Sequence, residues 1–75
     1  MSNSRKITEE DYRELIFMKG RLFNIENGEL NPFNYEILES KIAYLEREEL
    51  NVSEFRDFLE RYRIVYDIRK QDSIS

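Results

Sequence analysis

Three six-residue phrases in this chain share one pattern: Ile7-Thr8-Glu9-Glu10-Asp11-Tyr12, Leu30-Asn31-Pro32-Phe33-Asn34-Tyr35 and Leu50-Asn51-Val52-Ser53-Glu54-Phe55. Each reads apolar, cap, two variable positions, polar, aromatic. A Thr or Asn at an N-cap accepts a hydrogen bond from an orphan backbone N–H, and an acidic or amide side chain three residues on reaches back toward the cap. Asp11 and Glu54 suit that second role better than Asn34 does. The apolar residue ahead of each cap is placed to pack on the aromatic at the fourth helical position, a hydrophobic staple, and Pro32 stands at the first helical position, where a missing N–H does no harm. The pattern predicts three helix starts. With short connections favouring antiparallel neighbours, the expected fold is all-α, a small antiparallel three-helix bundle with helices near 9–26, 32–48 and 52–70. The caps lie 23 and 20 residues apart and the helices carry no internal repeat, so capping chemistry alone accounts for the recurrence.

Stop signals and periodicity agree with these starts. Asn27-Gly28 reads as the end of the first helix, the second must stop near Glu49, and the third frays into Gln71–Ser75. One domain is expected over 1–75, with 1–6 and 71–75 as flexible tails. In the first helix Leu15, Met18, Leu22 and Ile25 follow a core spacing, flanked by Tyr12, Ile16 and Phe23; in the third, Phe55, Phe58, Leu59, Tyr62, Val65 and Tyr66 do the same. The middle helix carries two apolar rows, Tyr35-Leu38-Ile42-Leu45 and Phe33-Ile37-Tyr44, separated by Asn34, Lys41 and Glu48. One row for each neighbouring helix is the simple expectation. The alternative is that one row meets a partner chain.

Seventy-five residues form one domain at most, and such a chain buries only about 60% of the surface its unfolded form exposes. The sequence has no cysteine and no histidine, so its core is held by packing alone, and it lacks thiolate and imidazole ligands as well as the commonest general base. The longest apolar run, Leu15 to Met18, falls far short of the roughly 20 residues of a membrane span, and Met1 to Lys6 has no signal-peptide core. A cytoplasmic protein without membrane or cofactor partners is expected. No phosphate-binding glycine motif is present, since Gly20 and Gly28 are the only glycines. Glu9, Glu10 and Asp11 crowd a helix N-terminus, where the macrodipole accounts for them, and Glu46, Glu48 and Glu49 crowd the end of the second helix, with Glu49 also ahead of the third. Neither cluster is read as a metal or catalytic site.

The net charge of −4 repels nucleic acid unless basic residues cluster. Residues 1–55 hold seven Lys and Arg against twelve acids, and residues 56–75 five against four. Arg56, Arg63 and Lys70 recur at seven-residue spacing beside Tyr66, a face able to grip single-stranded nucleic acid through phosphates and stacking. The plainer reading pairs those cations with the acidic second helix. Ile64 and Ile68, one turn apart, fall nearly opposite the Phe55–Tyr62 stripe, and Phe17 falls off the main face of the first helix. Contiguous exposed apolar area usually marks a contact site.

The stretch Leu45 to Phe58, with "LNVSEF" at its centre, resembles the turn of short helical hairpins such as the SHOCT domain. There an apolar residue, a Ser or Thr cap, and then Glu and an aromatic open the second helix. Glu48 and Glu49 stand where such hairpins carry a glycine. The resemblance implies a helix–turn–helix over this stretch and carries no activity. The functional expectation is a non-enzymatic interaction module (adaptor, inhibitor or regulator) that binds another protein or a second copy of itself through Phe17, Ile64 and Ile68, with Tyr44 and Arg61 at the rim. The second expectation is a weak binder of single-stranded nucleic acid using Arg56, Arg63, Tyr66 and Lys70.

Overall fold

The structure, a computed structural model, describes the backbone of residues 5–74 and the side chains of residues 5–71. Four helices follow one another: α1 (Glu9–Gly20), α2 (Pro32–Arg47), α3 (Ser53–Arg61) and α4 (Arg63–Ile74). The fold is all-α, but it is not a three-helix bundle. The span predicted as one helix over 52–70 is two, and the first helix ends six residues before its predicted limit.

The caps explain where α1 and α2 begin. Thr8 Oγ1 accepts from the Asp11 N–H at 3.1 Å, and Asn31 Oδ1 accepts from the Asn34 N–H at 3.1 Å with Pro32 directly after it. Neither polar residue closes a reciprocal box. The Asn34 amide donates instead to the Arg21 carbonyl, and Asp11 receives Lys41. The third phrase works differently: Asn51 Oδ1 takes the Ser53 N–H and hydroxyl, so α3 starts one residue late with Val52 as a cap that offers no side-chain bond.

Gly20 closes α1, and the Arg21 and Leu22 amides tighten back to Met18 and Lys19. Residues 22–31 then fold on themselves, with Asn24 N–H bonded to the Glu29 carbonyl and Asn31 N–H to the Leu22 carbonyl, both at 2.8 Å. Asn27-Gly28 turns this loop and does not end a helix; Gly28 has φ +69°. Helix-poor Asn24, Asn27 and Gly28 lose little by leaving the helix, and the hairpin delivers both Leu22 and Leu30 to the core. Ile25, expected in the core, sits at the loop tip and is wholly exposed.

The α2–α3 turn is a Schellman motif. Leu50 N–H bonds the Leu45 carbonyl and Glu49 N–H the Glu46 carbonyl, while Glu49 takes φ +64° at the position that favours glycine. The chain's start is pinned to this turn: Arg5 N–H bonds the Glu49 carbonyl at 2.8 Å, and the Arg5 carbonyl receives the Asn51 N–H at 2.7 Å. Of the tails expected at 1–6 and 71–75, residues 1–4 and 75 lie outside the described residues; Arg5 is held, and α4 continues to Ile74.

α2 is the central helix and touches each of the other three. α1 lies antiparallel to it, with Asp11 and Glu14 meeting Lys41 and Arg21 meeting Asn34. α3 and α4 return along its other flank, through Arg56 to Glu46 and Lys70 to Glu36. The core joins Tyr35, Leu38, Ile42 and Leu45 of α2 to Leu15, Leu22, Leu30, Val52, Phe55, Leu59 and Tyr66. All neighbours therefore pack on the same row, and the expectation of one row per neighbour is overturned. Val65, expected in the third stripe, is exposed.

The α3–α4 break falls at Tyr62, with neither Pro nor Gly beside it. Its cause is a side chain from another helix. The Leu59 carbonyl accepts the Tyr62 N–H at 3.0 Å and the buried Tyr35 hydroxyl at 3.0 Å. Two lone pairs are thereby used, none is left for the Arg63 N–H, and a hydroxyl inserted into the ladder is a known origin of helix breaks. Aromatic contacts hold the bend: Tyr62 meets Phe23 edge-on at 5.2 Å, and Tyr66 stacks on Tyr35 at 4.3 Å.

Candidate functional site

The proposed nucleic-acid face is turned toward α2. Arg56 binds Glu46 through two donors at 2.8 and 3.1 Å, Arg63 lies 3.8 Å from both Glu39 and Asp67, and Lys70 lies 3.2 Å from Glu36. Tyr66 is buried, with its ring on Tyr35 and its hydroxyl donated to Glu36. A stacking platform needs an open ring face, and this ring has none. The electrostatics follow from the same contacts. The Tyr66 hydroxyl, then the Lys70 ammonium, hold the Glu36 carboxyl below the usual glutamate range, and Arg56 does the same for Glu46. Burial pushes the Tyr35 phenol up, opposed by the Arg63 guanidinium beside it.

Acidic residues do not converge on a point. Among the described residues no group of three carboxylates is placed to hold a cation. Lys41 bridges Asp11 and Glu14 at 3.3 and 2.9 Å, with Glu14 the main cause of its raised pKa, and this ties α1 to α2. Among the described residues no helix is long and apolar enough to cross a membrane.

The residues expected to meet a partner are all exposed, on two separate surfaces and a groove. Ile64 is 73% exposed and Ile68 54%, on the side of α4 away from the Tyr66–Tyr35 stack, and exposed Val65 joins them. Tyr44, 55% exposed, belongs to the outer side of α2 together with Phe33 at 68% and Ile37 at 39%. Phe17 is exposed on α1 beside Met18, with the Arg21 guanidinium 5.3 Å from its ring centroid; Met18 and Arg21 line a shallow groove with Asn34 and Ile37, so α1 extends the α2 surface. Arg61 lies apart from both, in a groove with Lys19, Glu54, Asp57 and Phe58.

Phe33 and Ile37 belong to the row that the sequence left either to a neighbouring helix or to a partner chain, and both are exposed. Their row was visible in the sequence, but nothing there tells a covered row from an open one. Val65 and Ile25 were missed for a related reason, since their periodicity continues across a break and a loop that the sequence does not announce. A concavity of about 520 Å³ is an open groove between the chain's start and α3, lined by Lys6, Ile7, Tyr12, Asn51, Ser53, Glu54 and Phe55. The Ser53 hydroxyl there donates to Asn51 Oδ1. No protein-family model matches the chain, and neither a curated protein nor a solved structure does.

Proposed function

We propose that the chain is a non-enzymatic protein-interaction module, a small adaptor, inhibitor or regulator that binds through apolar residues left over once its core is filled. A cytoplasmic setting belongs to the same proposal, supported by a core that uses no disulfide. The observation that carries it is the Ile64–Ile68 pair, largely exposed one turn apart on a helix whose opposite side is anchored by Tyr66. Branched aliphatic side chains held on a regular helix lose little freedom on docking, and each that is fully covered contributes roughly 1.5–3 kcal/mol. Phe17, Tyr44 and Arg61 supply further contact area. Its mechanism is occlusion or bridging of a target.

Replacing Ile64 and Ile68 together by Asp tests this reading. Proteins retained by immobilised wild-type chain should be lost from the double variant, at low and high salt alike, while circular dichroism shows unchanged helix content. Retention by the folded double variant would place the contact elsewhere. Nucleic-acid binding, by contrast, weakens steeply with salt through counterion release.

A further inference from the structure

We propose that the outer row of α2 is a self-pairing seam, on which a second copy of this chain docks antiparallel about a two-fold axis. The inference rests on the interaction reading for Phe17 and Tyr44, and its test uses variants away from α4 so that the two can fail separately. Phe33, Ile37, Ser40 and Tyr44 follow one another at intervals of four, three and four residues on the exposed side of α2. That is the spacing of a coiled-coil seam. It also reads the same from either end.

A two-fold contact requires that if residue i meets residue j of the other copy, j meets i. An antiparallel α2 pair satisfies this with Phe33 against Tyr44 of the second copy and Ile37 against Ser40. The central layer sets a large side chain against a small one, the pattern by which facing layers interdigitate. The seam holds no charged side chain between Phe33 and Tyr44. The charges at its flanks are already answered within the chain, Glu36 by Tyr66 and Lys70, and Lys41 by Asp11 and Glu14. Two copies therefore meet without forcing unpaired like charges together.

Shape points the same way. The molecule measures 45 × 22 × 16 Å along its principal axes, with α2 central and yet open on the side of Phe33, Ile37 and Tyr44. Phe17 and the Met18–Ile37 groove widen the contact beyond one helix.

Sedimentation of the full chain from about 1 µM to about 1 mM should show the mass rising from monomer to dimer. Ser40→Asp and Ile37→Asp should each weaken this association at least tenfold with helix content unchanged, and the Ile64→Asp/Ile68→Asp chain should still dimerise. Orientation is read by cross-linking, since the native chain has no cysteine. Under mild oxidation a mixture of Phe33→Cys and Tyr44→Cys chains should form covalent dimers, and neither variant alone should. A constant monomer mass, association indifferent to both Asp variants, a mixture that fails to cross-link, or cross-linking of Phe33→Cys by itself each overturns the proposal.

Discussion

Ile37 and Leu38 are neighbours in sequence, nearly equal in size and on the same helix, yet Leu38 has no exposed surface and Ile37 is open to solvent. The two sides of α2 differ less in composition than in what the rest of the chain does. Tyr35, Leu38, Ile42 and Leu45 are covered because α1, α3 and α4 all converge on them. Phe33, Ile37 and Tyr44 stay exposed, with a shallow groove to Met18 and Arg21 beside Ile37. A helix with two hydrophobic rows can thus supply a core with one and an interface with the other. Which row takes which part is decided by connections elsewhere: the short Schellman turn and the hairpin at 22–31 bring both flanking helices to the same side.

The largest test of that difference is truncation on each side. Leu38→Ala should lower unfolding free energy by about 2–5 kcal/mol, read by urea denaturation, because a cavity remains at a fully buried site. Ile37→Ala, measured at a concentration where the chain is monomeric, should change it by no more than about 0.5 kcal/mol. Similar losses at both positions would mean that the outer row is buried within one chain.

Tyr35→Phe sharpens the comparison from within the core. The ring stays buried while the hydroxyl on the Leu59 carbonyl is lost, so a cost of about 0.5–1.5 kcal/mol is expected. The freed lone pair should accept the Arg63 N–H, and α3 and α4 should join. Slower hydrogen exchange of the Arg63 amide in the variant is the readout; unchanged exchange would locate the cause of the break elsewhere.

The caps give a smaller contrast. The Asn31 side chain accepts from the Asn34 N–H and donates to the Asn24 side chain, tying the helix start to the preceding loop, so Asn31→Ala should cost about 1–2 kcal/mol, the upper part of the range for caps. Asn51→Ala should cost less, since its side chain serves only Ser53. Equal costs would restore Asn51 as a true cap.

The smallest effect is that of pH. Glu36 and Glu46 have folded-state pKa values held below the ordinary 4.5, so the stability they contribute is fully present above 4.5 and is lost as pH falls through the lowered values. Both carboxylates are partly exposed, and solvent screening keeps the loss small. Urea midpoints should decline below pH 4.5, and less steeply in Glu46→Gln.

Much of this fold was legible in local chemistry. Thr8, Asn31 and Pro32 announce α1 and α2 because capping is a matter of neighbouring residues, and Leu15, Leu38, Ile42 and Leu59 announce the core through their spacing. What stayed hidden depends on distant partners. The break at Tyr62 comes from the Tyr35 hydroxyl, which reaches the carbonyl of Leu59, 24 residues on, in a stretch whose own propensities favour one helix. Glu49 carries a left-handed conformation without the glycine that would have marked it. Among the surface residues, Ile64 and Ile68 were visible as a pair out of phase with their stripe. Phe33 and Ile37 were in phase with a row that had no neighbour, and sequence periodicity does not count neighbours.

The central claim is that α2 buries one row and leaves the other for a partner. Isoleucine methyl NMR with a soluble paramagnetic probe tests it directly, because Ile37 and Ile42 lie on opposite sides of the same helix. In dilute solution the Ile37 methyl signals should broaden strongly while those of Ile42 persist, and the Ile37 signals should recover protection as concentration rises. Equal protection of Ile37 and Ile42 at the lowest concentration would contradict the account.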